Sequence, residues 1–169
     1  MLRYAKLMGN EQADAITHFT LQKMAFGGIY DQLGGGFARY SVDAKWHVPH
    51  FEKMLYDNAQ LVSLYAEAYQ QEPLPLYRNV VYETIDWLAR ELSDENGGFY
   101  SALDADSEGV EGKFYTFTKA EIDALLGDES PLFCAYYNLT EEGNVLTNKL
   151  FTACVVLCKH EVRLAKLFM

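Results

Sequence analysis

The chain has 169 residues, of which half are hydrophobic and 14% aromatic, including twelve Tyr and ten Phe. That length fits one domain or a piece of a larger one, and the composition supports a sizeable core, so wholesale disorder is excluded. Fourteen basic against twenty-four acidic residues leave a formal charge of −10, which reads as a solubilising surface and offers no basic footprint for nucleic acid.

The first residues, "MLRYAKLMGNEQADA", lack the apolar core and cleavage site of a signal peptide. No apolar run reaches the ~18 residues that a membrane span needs, so no membrane partner is expected. Residues 1–8 read as the closing turns of a helix. Residues 11–25 follow as a second helix, with Ala13, Ile16, Phe19, Thr20 and Met24 inward at 3-to-4 spacing and Gly27 and Gly28 as its stop. Residues 51–71 carry the strongest pattern. There Phe51, Met54, Leu55, Leu61, Val62, Tyr65 and Tyr69 form an apolar stripe, with Lys53, Asp57, Gln60 and Glu67 opposite. Residues 76–92 give a fourth helix, with Val80, Val81, Thr84, Ile85 and Leu88 inward and Asp86 spaced to pair with Arg90. A short helix over 118–126 opens with a capping box of Thr118 and Glu121, and "SPLFCAYYNLT" reads as another. "LFTACVVLC" reads as a buried strand or helix segment.

Two glycine-rich aromatic connections separate the long helices, "YDQLGGGFARYSVDAKWHV" and "ENGGFYSALDADSEGVEGKFYTF". Each holds Gly-Gly-Phe with Tyr and Ser close behind, and the second closes in an alternating, strand-like run at 113–117. Long helix, Gly-Gly-Phe loop or hairpin, next helix is a weak internal repeat. Helix pairs joined by short β-hairpins point to a mainly α chain built as part of an α/α toroid, because plain short turns suffice for a four-helix bundle. The ring content suits a core or concave pocket whose aromatic walls carry polar tips.

"WHVPHFEKMLYDNAQL", residues 46–61, concentrates the polar groups. Pro49 stops a helix from spanning His47 and His50, so they are not the one-face pair of a helical metalloprotease. Two readings stand side by side: the histidines move protons or hold substrate, or His50 caps the helix while His47 packs on Trp46. Glu52 and Asp57 fit acid–base work, or they complement the helix dipole while Lys53 reaches Asp57. Asn58 falls in the apolar stripe, where a buried amide must tie down a loop or face a polar cavity. Arg39 and Tyr40 follow a triple glycine that lets backbone approach another surface closely. Arg39 is placed to clamp a ligand oxygen, or to pair with Asp31 or Asp43.

"DADSEG" begins like a calcium loop, but its twelfth position is Tyr115, where a bidentate Glu is required. Asp104 and Asp106 read instead as a hairpin rim that binds sugar hydroxyls or supplies acid–base chemistry, or as an acidic turn. Cys134, Cys154 and Cys158 are an odd count without a CxxC pair, which points to a reducing, cytoplasmic setting. Cys154, Cys158 and His160 lack a fourth ligand, so neither a metal nor a cofactor is expected.

"GGIYDQLGGGFARYSVDAKWHVPHFEKMLYDNAQL" and "GGFYSALDADSEGVEGKFYTF" closely resemble the spermatogenesis-associated thioredoxin-like protein family, over residues 1–144. That resemblance implies a helical toroid similar to six-hairpin glycosidases and N-acylglucosamine 2-epimerases, preceded in family members by a thioredoxin-like domain absent from this chain. Residues 145–169 depart from the family pattern, as a truncated or frame-shifted reading would. The implied activity is sugar processing on a small carbohydrate. Histidines move the proton in the similar epimerases, and paired carboxylates cut the bond in the similar glycosidases. His47, His50, Glu52 and Asp57 are then the catalytic candidates, and Arg39, Tyr40, Trp46, Asn58, Asp104 and Asp106 the substrate-binding ones. The rival expectation is a non-catalytic binding or scaffold module serving the thioredoxin-like domain. An open part of a toroid also exposes apolar helix faces, so self-association is expected.

Overall fold

The computed structural model describes residues 1–143 and, as backbone, residues 154–155. The described chain is mainly helical. Helix α1 (Leu2–Met8) stops at Gly9, and α2 (Glu11–Phe26) starts at once from Asn10, whose side chain caps the Ala13 amide. Helices α3 (Leu55–Gln71) and α4 (Pro75–Trp87) form a second hairpin, with Pro75 in the first turn, where its missing N–H costs nothing. A turn of π-helix, Leu88–Leu92, continues α4. The short helices α5 (Lys119–Leu126) and α6 (Ser130–Tyr137) follow, and the Thr118–Glu121 capping box that opens α5 is formed in both directions.

Two-residue antiparallel ladders join the connections. Strand β1 (Tyr40–Ser41) pairs with β2 (Pro49–His50), and β3 (Lys53–Met54) with β4 (Ala102–Leu103). Strand β5 (Asp106–Ser107) pairs with β6 (Val110–Glu111), and β7 (Phe117–Thr118) with β8 (Cys154–Val155). Glu108 and Gly109, between β5 and β6, both have positive φ, as a two-residue hairpin of right-handed twist demands. "DADSEG" is that hairpin.

The core is a run of rings with polar tips. Tyr30, Phe37, Tyr65 and Tyr77 are each at most 1% exposed and meet at centroid distances of 4.7 to 5.8 Å. Each hydroxyl is spent: Tyr65 donates to the Leu21 carbonyl at 2.7 Å, Tyr30 to Glu83 at 2.6 Å, and Tyr77 meets buried His18 Nδ1 at 2.8 Å. The triple glycine seats this core. Gly36 has φ +81°, and a Cβ there would stand 2.6 Å from the Trp87 ring. The Gly-Gly-Phe repeat survives in the backbone, since Phe37 bridges to Tyr30 and Phe99 to Ser93. It fails in packing, because Phe37 is buried and Phe99 is 56% exposed.

Several expectations are corrected. The third helix begins at Leu55, not Phe51, because residues 49–54 are held extended by two ladders. His50 is therefore paired with Tyr40 in a strand and caps nothing; the N-cap is Met54. Lys53, expected on the polar face, is buried and bonds Asp31 rather than Asp57. In α2 the buried face is Ala13, His18, Leu21 and Ala25, while Ile16 and Phe19 are exposed; Tyr77 and Tyr65 hydrogen-bond to the His18 and Leu21 side. Ile85 is likewise exposed, and Arg90 bonds Glu91 and the Gly34 carbonyl rather than Asp86. Here the π turn replaces the α register on which that spacing depended. The run at 113–117 is mostly turn, tied by the Tyr115 amide to the Gly112 carbonyl at 2.9 Å, and only Phe117 joins a strand. The Cys154, Cys158 and His160 side chains and the proposed break after residue 144 lie outside the described residues.

Candidate functional site

Residues 49–54 are extended, so their side chains alternate between two faces. Pro49, Phe51 and Lys53 line an open cleft of about 620 Å³; His50 and Glu52 do not. The one run in which the sequence concentrates polar groups thus feeds two different places.

The cleft lies between the loop after α2, the π turn and the β4–β6 hairpin region. Its floor is Lys53, 2% exposed. The ammonium donates to Asp31 Oδ2 at 2.8 Å and to the Gly35 carbonyl at 2.9 Å. It also sits 5.0 Å from the Trp87 ring centroid and 4.8 Å from that of Tyr115, an arrangement in which ring quadrupoles replace lost water. Burial pushes the Lys53 amine below its ordinary pKa, with Asp31 opposing. Asp31 is itself held by the Leu33 and Gly34 amides, at 3.0 and 2.8 Å. Burial raises the Tyr115 hydroxyl to about 12, so it stays neutral. The end of α4 contributes Trp87, the π turn contributes Arg90 and Glu91, and the hairpin region contributes Asp104, Asp106 and Ser107. The Asp106 amide donates to Asp104 Oδ1 at 3.1 Å. Phe114, 70% exposed, stands at the same cleft.

The other face carries a chain of charges. Arg39 donates to Glu52 Oε2 at 2.8 Å, and its backbone amide donates to the Glu52 carbonyl. His50 Nε2 is 3.8 Å from the same Glu52 oxygen, and its Nδ1 is 2.7 Å from Glu111 Oε1. The Tyr40 ring stacks on His50 at 5.0 Å. Asp57 has one buried carboxylate oxygen without a hydrogen-bond partner. Its pKa is raised, first by burial and then by Glu52, with Arg39 pulling the other way.

Asn58 and Trp46 serve the loops and the core. Asn58 is fully buried; its amide binds both the N–H and the carbonyl of Phe37, at 2.7 and 2.9 Å, and the Met54 carbonyl at 2.9 Å. It ties down a loop. Trp46 packs on the core, with its carbonyl accepting the Gly28 amide at 2.8 Å. Asp43 gathers the amides of Lys45, His47 and Val48 at 2.6, 3.2 and 2.7 Å. Burial disfavours its charge, yet those amides outweigh burial and hold its pKa below the usual value.

Of the ten site residues expected from sequence, Asp104 and Asp106 reach the cleft, whereas His50, Glu52, Arg39 and Tyr40 form the opposite cluster. The sequence reading missed Lys53, Trp87, Arg90, Glu91 and Tyr115 as cleft residues. Only Lys53 carried a signal, its two-residue spacing from Phe51 and Pro49 across a proline that forbids helix. Among the described residues, no helix is long and apolar enough to cross a membrane.

No protein-family model matches the chain. Human spermatogenesis-associated protein 20 is 44% identical over 150 residues, covering 79% of this chain and 19% of that protein. The mouse protein of the same name is 42% identical over the same shares. Uncharacterized protein B0495.5 of Caenorhabditis elegans is 36% identical over 178 residues, covering 88% of this chain and 24% of that protein. Among solved structures, a D-mannose isomerase aligns with a TM-score of 0.42 at 17% identity, over 68% of this chain and 32% of that one. That likeness is too distant to bear on fold or chemistry. The chain is a homologue of spermatogenesis-associated protein 20 and spans about a fifth of that relative's length.

Proposed function

We propose that residues 1–144 form part of a sugar-processing α/α toroid, epimerase-like or glycoside-hydrolase-like, and that the cleft receives a small carbohydrate. The observation that carries this reading is the lining, in which the carboxylates of Asp104 and Asp106 share one open cleft with the rings of Phe114 and Tyr115. A sugar needs both kinds of surface: rings stack on its C–H faces, and carboxylates accept its hydroxyl protons. The helical hairpins α1–α2 and α3–α4, with ladder-forming connections after each pair, support the toroid. Two carboxylates at one cleft are the equipment of glycosidic cleavage. Histidine-driven epimerisation needs an imidazole at the sugar, and neither His47 nor His50 lines the cleft. In this reading Asp104 and Asp106 contact the ligand, while His50 and Glu52 hold the hairpins in place.

The scaffold reading has one observation in its favour. Lys53, Asp31, Arg90 and Glu91 are bonded to one another or to backbone across the cleft floor, as structural groups are. A thermal melt against a panel of mono- and disaccharides decides between the two. A bound sugar at a hundred times its Kd stabilises the folded chain by about 2.7 kcal/mol, and Asp104→Asn with Asp106→Asn then abolishes the shift. A cooperative melt that no sugar moves refutes the sugar site and leaves the scaffold.

A further inference from the structure

We infer that the cleft selects an amine-bearing sugar over its neutral and phosphorylated counterparts. The inference deepens the sugar-binding reading and depends on it. Four carboxylates, Asp31, Glu91, Asp104 and Asp106, line the cleft against two cations, Lys53 and Arg90. Both cations are committed. Lys53 is buried on Asp31 and the Gly35 carbonyl, and Arg90 bonds Glu91 Oε1 at 2.7 Å and the Gly34 carbonyl at 2.8 Å. Pairing them off leaves Asp104 and Asp106, both exposed, to meet the ligand.

Among the described residues lining this cleft, a phosphate or carboxylate finds no cation that is not already bonded, and it meets two charges of its own sign, within a chain of net charge −10. Like charges brought together without a counter-ion are strongly disfavoured. An ammonium finds the reverse. The walls already hold one such group, since the Lys53 ammonium rests against the rings of Trp87 and Tyr115. Ring faces and carboxylates together are how proteins hold alkylammonium groups.

The test is calorimetric titration of the whole chain with glucosamine, glucose and glucose 6-phosphate at about pH 6, where amine and carboxylates are both ionised. The expected order is amine, then neutral sugar about fivefold to tenfold weaker, then phosphate ester at least about tenfold weaker again. Raising the salt concentration shrinks the amine preference, and Asp104→Asn/Asp106→Asn removes it. A control melt establishes that the double variant folds; should it not, Asp106→Asn alone and the salt dependence carry the test. Glucose binding as tightly as glucosamine, or the phosphate ester binding as tightly as glucose, overturns the inference and leaves the sugar reading standing. Binding of none of the three overturns both.

Discussion

Lys53→Met removes the buried ammonium at the floor of the cleft and keeps most of the side-chain volume. The structure sets the size of the loss. Lys53 is 2% exposed and the Asp31 side chain 20%, so the variant strands a carboxylate that is largely out of water. Removing one partner of a buried pair costs about 3 to 5 kcal/mol. Asp31 keeps the amides of Leu33 and Gly34, which places the expectation near the lower end, at about 3 kcal/mol. Chemical denaturation of wild type, Lys53→Met, Asp31→Asn and the double variant forms the cycle. The double variant should recover part of the loss, because Asp31→Asn removes the stranded charge. A loss below about 1 kcal/mol, or losses that simply add, would refute the pair as an energetic unit. The same series has a pH arm. The folded Lys53 amine has a pKa below the ordinary 10.5. Between that lowered value and 10.5 the unfolded chain holds a proton that the folded chain has released, so wild-type stability rises with pH there. Lys53→Met lacks that contribution, and the gap between the two should widen toward alkaline pH.

Gly36→Ala should cost about 2 to 3 kcal/mol in the same assay, since it combines a positive φ with a Cβ 2.6 Å from the Trp87 ring. Gly97→Ala, at φ +89° but with nothing within 4 Å, is the control and should cost about 1 kcal/mol; equal losses would show that the Trp87 contact does not matter. Asp43 supplies the acid limb: its folded pKa lies below the ordinary 3.8. Its stabilisation is complete above the unfolded value and is lost as pH falls through the folded one. Asp43→Asn should therefore be less stable than wild type near neutrality and converge with it in acid; a constant difference at all pH values would rule out the carboxylate as the cause.

How much of this was legible in the sequence follows from which interactions are local. The start of the second helix, its Gly27 stop and the Thr118–Glu121 box are decided within a turn or two, and these appear where the pattern placed them. Asn58 could be read as a loop tie or a cavity wall because its partner, Phe37, lies twenty-one residues away. Lys53 misled for the same reason. Helix spacing put it on the polar face, but two strand partners, one near residue 40 and one near residue 103, hold its segment extended. Ile16, Phe19 and Ile85 show that an apolar face can be recognised without showing what covers it.

The alternation at residues 49–53 also explains why the polar groups of one short run need not share one task. On the outer face, Arg39 with Glu52 closes the β1–β2 hairpin on itself, and His50 with Glu111 joins it to the β5–β6 hairpin. These are partly exposed pairs, each worth little stability, so their value is positional. The β5–β6 hairpin carries Asp106 and Ser107 into the cleft. On the inner face, Lys53 with Asp31 fixes the glycine loop against Trp87 and Tyr115. One extended segment thus holds the cleft from two sides, with a buried pair below and surface pairs behind. His50, which draws the eye in the sequence, ties its own hairpin to the one that carries Asp106 and does not line the cleft.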